Sequence, residues 1–522
     1  MKNRELDAAW TYHNTTKHSY QSIRAGGHYL DWENQPIPFK IYSGLEAIPL
    51  SQKLSPSGVP ALQAISAAAA RPGKQVAPTS QILGEILFLS AGITRRKSYP
   101  GGEVLFRAAA CTGALYHIDL YLICGDLPDL PAGVYHFGPQ DFALRRLRQG
   151  DYRPVLARAA GAEPSIANAP CVIVCASTYW RNAWKYQARA YRHCYWDNGT
   201  ILANLLAAAA ARNLPANVVV GFVDATVNRV LSLDSKREAP LTMIALGNDA
   251  PPDIKLTPSV EPLTFDTVPL SKREIEYPAM SAMHEASSLE SDEEVAAWRR
   301  EAQRDARRNR IEDAKEARLF PLRSLDDSEI PKDTIEEVIL RRGSTRAFSR
   351  ESITFAQLST MLDRARRGIP ADFLNQAEPS LNDLYLIVHA VEDLPSGAYY
   401  FRREERALEL LKEGDFRREA GDLGLGQEIP ADCSVDVFFL TDLNRALERF
   451  GNRGYRAAQL EAAIMGGKLY LAAYAQGLGA SGLTFFDDDV TEFFSPHAAG
   501  KSVMFLIALG KSVKRRRGLK VL

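Results

Sequence analysis

The sequence predicts an α+β fold used twice in one chain, the two copies packing on each other as an intrachain pseudo-dimer. Three observations predict it. The chain has 522 residues, too many for one ordinary core and enough for two domains of roughly 150–250 residues. It repeats itself: "DLYLICGDLPDLPAGVYHF" (119–137) lies over "DLYLIVHAVEDLPSGAYYF" (383–401) at an offset of 264, and "IALG" (244–247) lies over "IALG" (507–510) at an offset of 263. Each copy also interleaves short apolar runs bounded by turn residues with a long apolar stretch of helical period.

In order, residues 1–60 form an N-terminal lead-in, 61–250 the first copy, 251–330 a connecting segment and 331–522 the second copy. Each copy starts with a short helix, "ILGEILFLSAGI" or "FAQLSTMLDRARRGI". A hairpin follows, its apolar "DLYLI" run turning through Leu-Pro-x-Gly into "VYHF" or "AYYF". Then come a strand ("APCVIVCAS", "DVFFLTD"), a long helix, a loop and a last strand. The connection opens Pro-rich and continues as a highly charged stretch, read as a linker and a solvated helix draped over the outside.

Composition narrows the function. With 63 basic and 63 acidic residues there is no net pull toward polyanions, which argues against nucleic acid as a partner. The apolar runs, such as "ILANLLAAAAA" (201–211), stop well short of the roughly 20 residues of a membrane span, so no membrane partner is expected. Six cysteines in apolar surroundings without C-x-x-C spacing, and no apolar leader after the polar opening, suggest a reducing cytoplasm. No residues fit a metal pattern, His193 and Cys194 included.

The most informative stretch is "WKYQARAYRHCYWDNG" (184–199), a polar cluster ahead of an alanine-and-leucine helix. Lys185, Arg189 and Arg192 stand at i, i+4 and i+7, hence on one helical face, and the second copy has Arg449, Arg453 and Arg456 at the same spacing. Since the helix beyond is almost wholly apolar and therefore buried, these cations need acidic, carbonyl or anionic partners close by. Arg189, Tyr191 and Arg192 recur in both copies, which suits pinning the helix mouth to the fold; Lys185 and Tyr186 do not.

The order "GALYHIDLYLIC", "LPAGVYHF", "WKYQARAYRHCYWDNGTILANLLAAAAARNL" and, in the second copy, "RRGSTRAF" resembles the nitroreductase-fold flavoproteins, within them the SagB-type dehydrogenases that include azoline oxidases of peptide natural-product pathways. The resemblance covers both copies. It implies FMN held where two copies of the fold meet, and a two-electron oxidation of a peptide or small-molecule substrate by hydride transfer to the flavin. "RRGSTR" is similar to the R-R-S-x-R that begins the fold and offers Arg341, Arg342, Ser344 and Arg346 to the FMN phosphate, a glycine standing where the family has its second arginine. "RAAACTGALYH" (107–117) is similar to the loop that lies against the flavin ring from the opposite subunit, and offers Cys111, Thr112 and Gly113. The loop "GLTFF" with Leu483 and Thr484, and the basic tail with Lys514 and Arg516, complete one composite site, leaving the pseudo-equivalent second site without a ligand.

Lys185 and Tyr186 resemble the Lys-Tyr pair assigned to catalysis in azoline oxidases, whereas the second copy has Arg449 and Phe450, which cannot exchange protons. A tyrosine base needs its pKa lowered by a nearby cation: Lys185, from an irregular start of the helix, or Arg189 and Arg192. Two rival functions fit the same residues: an NAD(P)H-dependent nitro- or quinone reductase, and a catalytically degenerate flavin- or peptide-binding partner protein. Oxygen or NAD(P)H is then the redox partner.

Overall fold

Two sheets of identical topology carry the architecture of the computed structural model, which describes residues 2–67, 75–99, 102–249, 251, 258–303, 317–375 and 379–513. The first half contributes β1 (Ala47–Pro49), a separate two-stranded ribbon of β2 (Ile93–Tyr99) and β3 (Gly102–Arg107), then β4 (Ile118–Cys124), β5 (Gly133–Gly138), β6 (Ala143–Gln149), β7 (Cys171–Thr178), β8 (Ala216–Val219) and β9 (Glu238–Leu246). The second contributes β10 (Leu319–Pro321), β11 (Asn382–Val388), β12 (Gly397–Arg402), β13 (Ala407–Glu413), β14 (Val435–Thr441), β15 (Gly479–Leu483) and β16 (Ser502–Gly510). The strand orders are β1-β6-β5-β4-β7-β9-β8 and β10-β13-β12-β11-β14-β16-β15, matching rank for rank, with antiparallel pairing throughout. The duplication read from the sequence is therefore a duplication of topology.

Between the sheets run two long helices, Ala190–Ala211 and Arg453–Ala475, nearly every residue of which is buried. They pack on each other closely because small residues face each other. A Cβ on Gly199 would lie 2.5 Å from the Cβ of Ala463, and one on Gly467 would lie 2.6 Å from the Cβ of Ala203. At the offset of 264, Gly199 and Ala463 are counterparts, as are Ala203 and Gly467. A residue that touches its own counterpart sits on the twofold axis, so these two pairs mark the pseudo-dimer axis.

Reciprocal ion pairs lock the halves. Arg189 Nη1 and Arg192 Nη1 of the first half hold the two oxygens of Asp487 at 3.0 and 2.5 Å. Arg453 Nη1 and Arg456 Nη1 of the second hold those of Asp224 at 2.6 and 2.7 Å. Both sets are buried. Burial alone raises the Asp224 carboxyl, but Arg453 and Arg456 outweigh it and bring it down to about 2. The lead-in joins the same network: Thr16 O and His13 O accept from Arg189 and Arg192 at 2.6 and 2.7 Å, and His18 N–H donates to Asp487 Oδ2 at 2.8 Å.

The connecting segment departs from expectation. Its helix Asp292–Gln303 is not a solvated drape, because Val295 and Trp298 are buried at 0% and 1% exposure. Charged residues dominate its composition and mask a short apolar stripe, and two of them, Glu294 and Arg299, are themselves buried, Arg299 donating to Ala160 O at 2.6 Å. Among the described residues, no helix is long and apolar enough to cross a membrane.

Candidate functional site

A cavity of about 450 Å³ lies between the halves beside the paired helices. The first half lines it with Cys111, Thr112, Gly113, Lys185 and Tyr186, and the second with Ser344, Arg346, Leu483 and Thr484. Nine residues expected at the site thus meet in one space, drawn from four segments spread between positions 111 and 484.

Local geometry explains how each gets there. Helix Trp180–Tyr186 ends at Gln187, whose φ of 50° and ψ of −141° break the chain before the 3₁₀ turn Gln187–Arg189 and the long helix. The break overturns the single helical face expected for Lys185, Arg189 and Arg192. Lys185 and Tyr186 turn to the cavity, while Arg189 and Arg192 turn to Asp487. The second half makes the same break with Gly451 (φ 69°), so the first half carries a glutamine where glycine is the unstrained choice.

The loop from Cys111 to Tyr116 is shaped by Asp197 and Gly113. Asp197 Oδ1 accepts from the Thr112 N–H at 2.8 Å and the Thr112 hydroxyl at 2.7 Å, and Oδ2 accepts from the Cys111 thiol at 3.0 Å. His117 Nε2 lies 2.9 Å from the same Oδ2. Gly113 has φ 64°, and a Cβ there would come within 2.8 Å of the Tyr186 hydroxyl, so glycine is required on both counts. Burial and Asp197 hold the Cys111 thiol protonated.

Tyr186 differs from the tyrosine base the sequence suggested. Burial first, then Asp197 and Cys111, push its hydroxyl well above the ordinary value, Arg346 opposing them only in part. At neutral pH it is a proton donor. The cavity also receives three groups the sequence reading passed over. His18 comes from the lead-in, and burial with Arg189 brings it down to about 3, so it is neutral. His193 is likewise held neutral by burial and Arg189, and its Nδ1 lies 2.8 Å from Asn182 Oδ1. That bond fixes the proton on Nδ1 and leaves Nε2 as an acceptor. Asp197 is the third. The polar "WDNG" inside an apolar helix was the available signal for it; His18 left none.

The expected phosphate cluster divides. Arg346 lines the cavity and has no ion-pair or hydrogen-bond partner among the described residues. Ser344 Oγ lies 3.2 Å from the Tyr470 hydroxyl. Arg341, at the end of helix Ile335–Arg341, points away, donating to Tyr474 O at 2.8 Å and pairing with Asp333 at 2.5 Å. Arg342 is buried and crosses to the other half, donating to Ala108 O at 3.0 Å and Arg107 O at 3.3 Å. Neither lines the cavity; Arg342 instead supports the strand that leads into the Cys111 loop. Lys514 and Arg516 lie outside the described residues. The chain last described before them, Val513, donates to Ala347 O at 3.1 Å, next to Arg346.

What the cavity can hold follows from its unsatisfied groups. Ser481 Oγ and Thr484 Oγ1 face it with no hydrogen-bond partner among the described residues. Buried hydroxyls in that state mark a place for a ligand's polar atoms. With one free guanidinium and a volume in the range of cofactor pockets, the donor set fits an anionic, partly aromatic ligand such as FMN.

Comparison with known proteins gives a consistent result. The sequence model described as the nitroreductase family matches residues 115–248 and 339–511, more than half of the chain. A protein of Methanocaldococcus jannaschii that carries the name nitroreductase MJ1384 is 27% identical over 169 residues, covering 32% of this chain and 80% of that protein. The microcin B17-processing protein McbC of Escherichia coli is 26% identical over 163 residues, 29% of this chain and about half (54%) of McbC. The crystal structure of a protein from Anabaena variabilis, also named for nitroreductase activity, superposes with a TM-score of 0.75 at 26% identity, covering 97% of this chain and 99% of that one.

Proposed function

The chain belongs to the nitroreductase family of oxidoreductases, and from that premise we propose that it is an FMN-dependent dehydrogenase of the SagB type, which takes two electrons from a peptide or small-molecule substrate. The observation that carries this reading is the composite cavity: Cys111, Thr112, Gly113, Lys185 and Tyr186 face Ser344, Arg346, Leu483 and Thr484 across the pseudo-twofold interface. The similarity to McbC, a microcin-processing protein, supports a peptide as the substrate.

Arg346, with Ser344 and the tail residues Lys514 and Arg516, would hold the FMN phosphate, and the Cys111–Gly113 loop and Leu483–Thr484 would flank the ring. When bound, FMN supplies a two-electron acceptor. The protein's own part is proton handling and orientation. Tyr186 donates a hydrogen bond to the substrate. Lys185 brings its amine to the cavity, and His193, its ring 4.6 Å from that of Tyr186, brings a neutral Nε2 that can take the proton the substrate loses. Asp197 holds the Cys111–Gly113 loop against Tyr186.

An absorption spectrum of the purified protein, with mass identification of the released cofactor, tests the proposal; a colourless protein that takes up no FMN overturns it. A second reading, an NAD(P)H-dependent nitro- or quinone reductase, is favoured by the names of two of its relatives. Oxygen consumption with a peptide substrate and no NAD(P)H distinguishes the two, since the dehydrogenase takes its two electrons from the substrate whereas the reductase needs the nicotinamide.

A further inference from the structure

The duplication places a second, pseudo-equivalent site across the axis, and its members follow from the two offsets. Cys111, Lys185, Tyr186 and Asp197 correspond to Asn375, Arg449, Phe450 and Glu461; Leu483 and Thr484 correspond to Val220 and Gly221. In the structure these positions are met by groups of the chain itself. The Asp372 carboxylate accepts from the N–H of Val220 at 2.9 Å and of Gly221 at 2.8 Å. Its backbone adds to β8, Val218 N donating to Pro370 O at 2.8 Å and Asp372 N to Val218 O at 3.0 Å.

The connecting helix Asp292–Gln303 covers the rest. Trp298 donates from Nε1 to Phe450 O at 3.0 Å and packs its indole 5.4 Å from the Phe450 ring. It lies so close to Gly221 that a Cβ there would be 2.8 Å from the indole. Ala302 O accepts from Arg449 Nη2 and Asn375 Nδ2, both at 2.6 Å. Glu461 is turned inward to the N–H groups of Leu381 and Asn382, 3.0 Å each.

We infer that the chain closes its own second site, with the connecting helix and Asp372 as its occupant, so that each chain takes a single ligand. Fusion makes this possible. In a homodimer the two sites are related by symmetry and anything that fills one fills the other. A linker occurs once per chain and reaches one side only. The Asp372 carboxylate on two backbone donors also places a negative charge where an anionic ligand would otherwise find them.

Two measurements test the inference, and only the first rests on the flavin reading. Titration with FMN is expected to saturate at one per chain, with hydrogen-exchange protection at 110–114 and 481–486 and none at 218–223. The second is a double-mutant cycle read by thermal unfolding. With Trp298 seated, Gly221→Ala lowers Tm by about 2–4 °C or more, and the loss shrinks in a Trp298→Ala background, where of these contacts only that of the new Cβ with Asp372 Oδ2 at 3.0 Å remains. Coupling of this kind without FMN binding supports the closed second site and removes the flavin reading instead. Two FMN per chain, FMN protection at 218–223, or a neutral Gly221→Ala overturns the inference.

Discussion

Tyr186 shows how surroundings set a residue's role. Its hydroxyl faces a cavity that holds the carboxylate of Asp197, and burial and that charge both favour the protonated form. Tyr186→Phe is therefore expected to lower kcat by about 10²-fold while bound flavin stays at the wild-type level, the pattern of a lost donor. Because the hydroxyl is raised rather than lowered, its ionisation imposes no fall in rate below about pH 10. A basic limb under that pH that disappears in Tyr186→Phe would contradict the donor role. Arg346 belongs to the same scale. As a guanidinium of the cavity without a partner among the described residues, it would contribute to a bound FMN phosphate a charge-assisted hydrogen bond of about 1.5–3 kcal/mol, so Arg346→Ala should weaken FMN binding by roughly 10- to 150-fold in a fluorescence titration. Arg341→Ala should leave it unchanged, since that side chain is engaged with Tyr474 and Asp333.

Among the elements, the starts of the two long helices do the joining. Each carries two buried arginines that reach an aspartate of the other half, and Asp487→Asn leaves Arg189 and Arg192 without their counter-charge. Breaking a buried pair from one side costs about 3–5 kcal/mol, which a denaturant titration should register as a lower midpoint with loss of the composite cavity. The same pairs set an acid limit. Asp224 titrates near 2 when folded, against an ordinary carboxyl near 3.8. A depressed carboxyl contributes stability that is fully present above about pH 4 and is lost as pH falls toward 2, roughly 2 kcal/mol for this group alone. Acid unfolding followed by circular dichroism should thus be steep between pH 4 and 2 and shift upward in Asp224→Asn. These elements also show what the sequence could and could not reveal. The arginines were legible because both copies repeat them at one spacing, and the second copy's Arg449 and Phe450 singled out Lys185 and Tyr186 by contrast. An irregular start of the helix was one of the alternatives, but its place at Gln187 was not legible, because a glutamine gives no sign of a positive φ, whereas its counterpart Gly451 does. Nor was the fate of Arg341 and Arg342, since a run of arginines at a helix end does not say which of them meets a carbonyl. The burial of Trp298 was hidden by the charged residues around it.

For the molecule as a whole, function depends on how closely the two halves meet, and the axis pairs control that distance. Gly199 faces Ala463 and Ala203 faces Gly467, so each pair on the axis holds one glycine and one alanine. A true dimer would place identical residues there; a fused chain is free to divide them. Gly467→Ala puts a methyl 2.6 Å from that of Ala203 and 3.1 Å from the Thr200 Cα, inside van der Waals contact with a neighbouring helix that has no flexible atom to yield. Overpacking of this kind costs about 1–3 kcal/mol and moves the helices apart. Thr200 lines the cavity three residues from Asp197, so the displacement reaches the site, and flavin affinity should fall together with Tm. Exchanging the partners, Ala203→Gly with Gly467→Ala, keeps one methyl at the contact and the same number of helical glycines. If contact across the axis is what matters, the exchanged protein recovers Tm to within about 2 °C of wild type, along with its flavin, whereas an intrinsic cost of alanine at 467 would leave both depressed.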